Sequence, residues 1–237
     1  MKRLGVVLLA IVVIGGTVWG WSAYQDRIEQ DTAYPARSSV TSPSSNATVA
    51  PPVVLLIGDS FSGGSDMNEG PEWPDMLKAS NGWVLLEDVI GGTGYVSPGQ
   101  QVPFTDRIED DVERYAPDVV LLAGGRNDIA FPVDEVVAAA DDVVAAAKRG
   151  WPDAEIVLFS PFASGEPSDE TLDLARALQE LAEARSVRWV DATGYVEADL
   201  IGSDGVHPNQ EGHERLAAEV ADALSQLDLA TLGPVTS

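Results

Sequence analysis

The chain contains no cysteine. That excludes disulfides, a thiol nucleophile and lipid attachment through an N-terminal Cys. Histidine is nearly absent too. His207 and His213 are the two present, so a zinc-type centre would have few donors to draw on, and neither a metal nor a cofactor is expected. Cations are scarce: Lys+Arg 14 stand against Asp+Glu 38, a formal net charge of −24. Such a chain repels nucleic acid, whose binding needs clustered cations on the phosphates, and it cannot grip anionic lipid by charge. The acidity reads as a well-solvated surface.

Charge of either sign is missing from Leu4 to Tyr24, directly after Lys2 and Arg3. This run of about 20 residues is long enough to cross a bilayer core of ~30 Å as a helix. A cleaved signal peptide would want small residues at −3 and −1 of the cut, and Trp21-Ser22-Ala23 puts a bulky Trp at −3. Trp19, Trp21 and Tyr24 instead supply an interfacial aromatic belt. Residues 1–25 are therefore expected to be a cytoplasmic start and single-pass signal-anchor in the cell membrane, with a cleaved signal peptide and a secreted product as the alternative. Either way the positive flank places the rest of the chain outside the cell. Residues 26–52, rich in Ser, Thr and Pro from 38 onward, read as an extracellular tether. Asn46-Ala47-Thr48 matches a glycosylation acceptor, a short and weak pattern.

From 53 to 228 short apolar runs alternate with segments of helical period, and 229–237 reads as a flexible tail. Strands are expected at 53–57, 83–90, 119–123, 155–159 and 187–190, and helices at 72–79, 105–116, 133–149, 169–185 and 210–227. Pro117 stops the second of these helices, and Val136, Val137, Ala140, Val143, Val144 and Ala147 line one face of the third. Strands alternating with helices imply an α/β fold, a parallel sheet covered on both faces in a three-layer α/β/α sandwich.

Ligands of such sheets bind beyond the carboxyl ends of the strands. The segments found there are Gly58-Asp59-Ser60, Gly91-Gly92-Thr93-Gly94, Gly125-Arg126-Asn127-Asp128 and, past a loop, Asp204-Gly205-Val206-His207-Pro208-Asn209. A serine hydroxyl needs an adjacent base to act as a nucleophile. An Asp three residues before His207 could orient that imidazole. His213, with no acid three residues before it, reads as a helix-start or surface histidine. The turn GDSFSGG lacks the Lys of a phosphate-binding loop, which argues against nucleotide chemistry.

These four motifs, each after its own strand, resemble those of the SGNH/GDSL hydrolase family over about residues 53–227. The resemblance implies a flavodoxin-like sheet and a metal-independent serine esterase acting through an acyl-enzyme. It implies Ser60 as nucleophile, His207 as base and Asp204 as its orienting acid. It also implies oxyanion donors from the backbone of Ser60, from the glycine turn and from the Asn127 side chain. Gly92 is the expected glycine donor, with Gly94 its rival. Asp59 and Asp128 are expected to hold their loops, and Arg126 either pairs with Asp128 or lines the pocket. The segment 62–74, with Asp66, Glu69, Glu72 and Trp73, is expected to rim the cleft and to disfavour strongly anionic substrates. The expected substrate is a small-molecule or glycan ester and the expected protein a monomer. An O-acyltransferase on a cell-surface glycan and a catalytically silent surface binding protein are the alternatives.

Overall fold

The computed structural model describes residues 50–63, 70–99 and 101–227. All lie in the second of the chain's two units, Ser42–Ser237. The expected signal-anchor, nearly all of the tether and the tail fall outside the described residues. Among the described residues no helix is long and apolar enough to cross a membrane.

Five strands form one parallel sheet: β1 (Val53–Gly58), β2 (Val84–Val89), β3 (Val119–Ala123), β4 (Glu155–Phe159) and β5 (Arg188–Val190), in the order β2-β1-β3-β4-β5. This is the flavodoxin-like order, whose direction switches between β1 and β3. The described helices are α1 (Ser60–Gly63), α2 (Trp73–Asn81), α3 (Phe104–Arg114), α4 (Val133–Gly150), α5 (Asp169–Arg185) and α6 (Gln210–Gln226).

The strands are apolar on both faces because both faces are covered. Leu55 and Ile57 of β1 and Val120 and Leu122 of β3 pack with Ile108 of α3, Val143 of α4 and Leu178 of α5. Val54 and Leu56, with Leu121, turn the other way onto Trp73 and Leu77 of α2 and Leu216 and Val220 of α6. The period of two in the strands thus divides one apolar run between two cores. Each such side chain contributes roughly 1.5–3 kcal/mol by leaving water.

Helix ends follow local chemistry. Helix α3 ends at Arg114, before the expected 116, because Pro117 bars Ala116 from helical backbone. Ser168 caps α5 by accepting from the Thr171 N–H, and Asn209 caps α6 by accepting from the Gly212 N–H at 2.9 Å. The second cap lies two residues after His207, so the same motif ends one loop and starts the helix behind it. At the other end of the switch point, β1 and β3 pair Gly58 with Ala123. The chain segments that follow both strands therefore leave the sheet side by side.

Candidate active site

Ser60 opens the single turn of α1 directly after β1. Asp59 shapes that turn. Its backbone carbonyl accepts from the N–H groups of Ser62 and Gly63 at 2.9 and 3.0 Å, and its Oδ1 accepts from the Phe61 N–H at 2.9 Å. The Ser60 hydroxyl lies 2.9 Å from His207 Nε2, and His207 Nδ1 lies 2.6 Å from Asp204 Oδ2. A carboxylate only accepts, so Nδ1–H donates to it and Nε2 is left to accept from the serine hydroxyl. Asp204 Oδ1 meanwhile accepts the N–H groups of Val206 and His207 at 2.9 and 3.0 Å. Led by the His207 bond, these push its carboxyl down to about 2. The loop is held from two further directions. Gly202 N–H donates to the His207 carbonyl at 2.7 Å, and the Ser164 hydroxyl, from the segment after β4, donates to the Val206 carbonyl.

The glycine turn runs alongside. A Cβ added to Gly91 would stand 3.7 Å from the Ser60 Cβ. Gly92 has φ +75°, a conformation that suits glycine, and its carbonyl accepts from the Ser97 hydroxyl at 3.0 Å. The N–H of Gly94 is committed to the Ser97 carbonyl at 2.9 Å, and a side chain on Gly94 would run into the Asp128 carboxylate. Asn127 sits in a 3-10 turn (Arg126–Asp128) after β3, with Nδ2 3.1 Å from Asp59 Oδ2 and 2.9 Å from the Thr93 carbonyl. The three segments around Ser60 thus meet at one amide.

Asp59 is fully buried, and desolvation pushes its carboxyl up to about 6 against the opposing pull of the Phe61 N–H and Arg126. Asp128, as expected of a loop-fixing acid, accepts the N–H groups of Tyr95, Val96 and Ser97 at 2.8, 3.0 and 2.7 Å. Arg126 shows no pairing with it. Its guanidinium lies 4.8 Å over the Phe61 ring, and Nη1 donates to the Phe162 carbonyl at 3.3 Å.

Two expectations need correction. Trp73 does not rim the cleft. It is fully buried, with Nε1–H donating to the Phe61 carbonyl at 2.9 Å, because an indole packed under α1 buries its rings and satisfies its N–H at once. Residues 64–69 of that segment, with Asp66 and Glu69, lie outside the described residues. His213 stands at the helix start, the first of its two expected readings, and not on the surface. It is fully buried at the start of α6, its Nδ1 faces the Trp73 N–H at 3.4 Å, and burial lowers its pKa to about 4.

Arg107, Asp88 and Asp111, none of them among the expected site residues, are all buried below the glycine turn. The signal was present. Arg107 and Asp111 share one helical face with Phe104 and Ile108, so that face carries charge where a core stripe should be apolar. Among the described residues no group of three or more His, Asp or Glu side chains could hold a metal ion.

A model of the GDSL-like lipase/acylhydrolase family matches residues 56–215. GDSL lipase Rv0518 of Mycobacterium tuberculosis is 30% identical over 193 residues, which span 73% of this chain and 81% of that protein. Among solved structures, the psychrotrophic esterase EstA from Pseudoalteromonas sp. superposes with a TM-score of 0.61 at 19% identity, over 74% of this chain and 97% of that one. Est24, a carbohydrate acetylesterase from Sinorhizobium meliloti, gives 0.59 at 17% identity over 74% and 99%. A catalytic mutant of Axe2, an acetylxylan esterase from Geobacillus stearothermophilus, gives 0.59 at 20% over 75% and 96%. At these identities the structural likeness is one of fold.

Proposed function

The chain belongs to the GDSL-like lipase/acylhydrolase family, whose members are serine ester hydrolases, and from that premise we propose that Ser60, His207 and Asp204 form its catalytic triad. The observation that carries this reading is the unbroken run of hydrogen bonds from Ser60 Oγ to His207 to Asp204, at 2.9 and 2.6 Å.

In this mechanism the Ser60 oxygen attacks the ester carbonyl carbon as its proton passes to His207 Nε2. Asp204 holds the ring in the required tautomer and stabilises the imidazolium. The tetrahedral oxyanion takes hydrogen bonds from the N–H groups of Ser60 and Gly92 and from Asn127 Nδ2, which turns one N–H away from Asp59 or Thr93 to do so. Gly92 is preferred to Gly94 because the Gly94 N–H is already committed to Ser97. The C–O bond to the alcohol then breaks, with His207 returning the proton to the leaving oxygen. Water repeats the sequence on the acyl-enzyme and releases the acid.

The proposed substrate is a small O-acyl ester, with O-acetyl groups on a carbohydrate as the leading class. Support comes from two of the similar folds, which belong to a carbohydrate acetylesterase and an acetylxylan esterase. The proposed address is the outer face of a cell membrane, with residues 4–24 as the anchor. Its support is the uncharged run, the Lys2-Arg3 flank and the aromatic belt of the sequence. Labelling with a fluorophosphonate tests the nucleophile. The wild type should be modified at Ser60, and Ser60→Ala should lose both the label and esterase activity, on the order of 10⁶ in kcat. Modification of a different serine would refute the assignment.

A further inference from the structure

A buried cation lies directly beneath the turn that carries Gly92. Arg107 of α3 is 2% exposed. Its Nε stands 3.1 Å from Asp88 Oδ2 and its Nη1 donates to Asp88 Oδ1 at 3.3 Å. Its carbon Cζ lies 4.6 Å over the Phe104 ring. Asp111, one turn along the same helix, is buried beside Asp88, and desolvation followed by that neighbouring charge raises its pKa far above the usual carboxylate range. Burial beside a second carboxyl thus favours the neutral form of Asp111, and the Arg107 guanidinium with the Asp88 carboxylate is the ion pair of the cluster.

Charge balance explains only half of the guanidinium. The other arm, Nη2, donates to the Gly58 carbonyl at 3.0 Å and reaches Thr93 Oγ1 at 3.4 Å. Gly58 is two residues before Ser60, and Thr93 directly follows Gly92. The same points are joined a second way. Ile90 N–H donates to the Gly58 carbonyl at 3.2 Å, and the Thr93 hydroxyl donates to the Ile90 carbonyl at 2.7 Å. Because the Thr93 hydrogen goes to Ile90, its oxygen is free to accept from Arg107. The result is a closed ring of four hydrogen bonds linking the end of the strand that leads to Ser60 with the turn beside it. A hydrophobic side chain of similar volume would fill this space without the desolvation cost of a buried ion pair. Lysine could neutralise Asp88 but lacks the planar fork that reaches two further acceptors.

We propose that Arg107 is a positioning residue for ester hydrolysis: by gripping the Gly58 carbonyl and the Thr93 hydroxyl together, it sets the gap between the N–H groups of Ser60 and Gly92. The inference rests on the reading of those groups as oxyanion donors. It predicts a defect confined to the tetrahedral state, because substrate binding does not depend on that gap while oxyanion stabilisation does.

The test uses two variants chosen to keep the core balanced. Arg107→Lys retains the charge and loses the fork. Arg107→Met combined with Asp88→Asn removes both charges at similar volume. Active sites are counted by fluorophosphonate titration of a separate sample, so kcat is referred only to folded enzyme whose Ser60 can react. Both variants should show kcat per site reduced roughly 10- to 100-fold, with KM changed less than about twofold. The affinity for phenylboronic acid, which forms a tetrahedral adduct on serine, should weaken by the same factor as kcat/KM. A merely structural role would lower the number of titrated sites and leave kcat per site and boronate affinity unchanged. That result, or full kcat per site in Arg107→Lys, overturns the proposal. Asn127→Ala, measured alongside, separates the two levels. If it loses kcat as an oxyanion donor should while the Arg107 variants do not, the clamp alone fails. If it loses nothing, the oxyanion reading fails and the clamp with it.

Discussion

Asn127 Nδ2 stands 3.1 Å from Asp59 Oδ2, although 68 residues separate them in the chain. The contact exists because β1 and β3 are neighbours and end level, Gly58 opposite Ala123, so the residues just beyond each strand face one another. Asp59 and the Thr93 carbonyl thus hold the amide next to the residue that precedes Ser60, and one of its N–H groups has only to turn from either acceptor to reach an oxyanion. Asn127→Ala should therefore lower kcat by about 10²–10³ with a much smaller change in KM, since the lost bond matters most in the transition state. Steady-state kinetics on a nitrophenyl ester checks this. A change in KM alone would place Asn127 in ground-state binding.

Asp59 should leave a signature in the pH dependence of stability. Its native pKa of about 6 lies above the unfolded value, so between about pH 4 and 6 the native state binds more protons than the unfolded one. Stability contributed by this group is full in acid and falls as pH rises through that window. Asp59→Asn removes the titration. Relative to wild type, its unfolding free energy should improve between pH 4 and pH 7.5 by on the order of 2–3 kcal/mol. Urea denaturation at the two pH values measures it, and parallel curves for the two proteins would refute the buried-carboxylate account.

Much of this architecture is legible from residue pattern. Val119–Ala123 and Asp169–Arg185 begin and end where their apolar run and amphipathic stripe do. The segments after β1, β2 and β3 and the loop of Asp204 and His207 were each placed by their glycines and their position past a strand. What escaped was set by packing between distant segments. Nothing local to Trp73 announces that its indole N–H meets the Phe61 carbonyl, and nothing local to His213 announces Trp73 above it. Sequence adjacency suggests that Arg126 pairs with Asp128, yet Asp128 is taken up by three N–H groups from the segment after the glycine turn and Arg126 packs on Phe61.

His213 should act in the opposite sense to Asp59. Burial lowers its pKa to about 4, below the unfolded value near 6.5, so its contribution is present above pH 6.5 and lost as pH falls toward 4. His213→Gln keeps an acceptor for the Trp73 N–H and cannot titrate. Its stability should fall less steeply between pH 7 and pH 4 than that of wild type, by on the order of 3 kcal/mol. At pH 7.5 it should keep most of the esterase activity, whereas His207→Ala should abolish turnover. Equal activity losses in the two variants would contradict the separate roles.

The proposed address gives a prediction of its own. If residues 4–24 anchor the chain, full-length protein should fractionate with membranes at its uncleaved mass and resist a high-salt wash, because apolar burial rather than charge holds it. Protease added to intact, wall-stripped cells should remove the catalytic domain. A shortened form free in the medium would identify a cleaved signal peptide instead, and protection from the protease would overturn the orientation.

Asp128 should prove as important to stability as to activity. Its carboxylate is fully buried and accepts the N–H groups of Tyr95, Val96 and Ser97, the segment directly following the glycine turn. Asp128→Ala leaves three donors without their acceptor, and a buried unsatisfied group costs about 1–3 kcal/mol. Because the Val96 and Ser97 N–H groups are only partly buried, a total of roughly 3–6 kcal/mol is expected, which corresponds to a fall in Tm of about 6–24 °C for a domain of this size. The turn carrying Gly92 should loosen as well, so activity at temperatures where the variant remains folded should drop with it. Gly94→Ala attacks the same contact from the other side, since its Cβ would stand 2.1 Å from Asp128 Oδ2 and that carboxylate could not keep its place. Two changes that destroy one interaction should not add. The double variant should therefore unfold near the temperature of Asp128→Ala alone, because the space vacated by the carboxylate accepts the new methyl group. Thermal unfolding of the three variants decides this: additive losses would show that Gly94 and Asp128 serve the turn independently, and a fall in Tm of less than about 2 °C for Asp128→Ala would remove the carboxylate from the turn's support altogether.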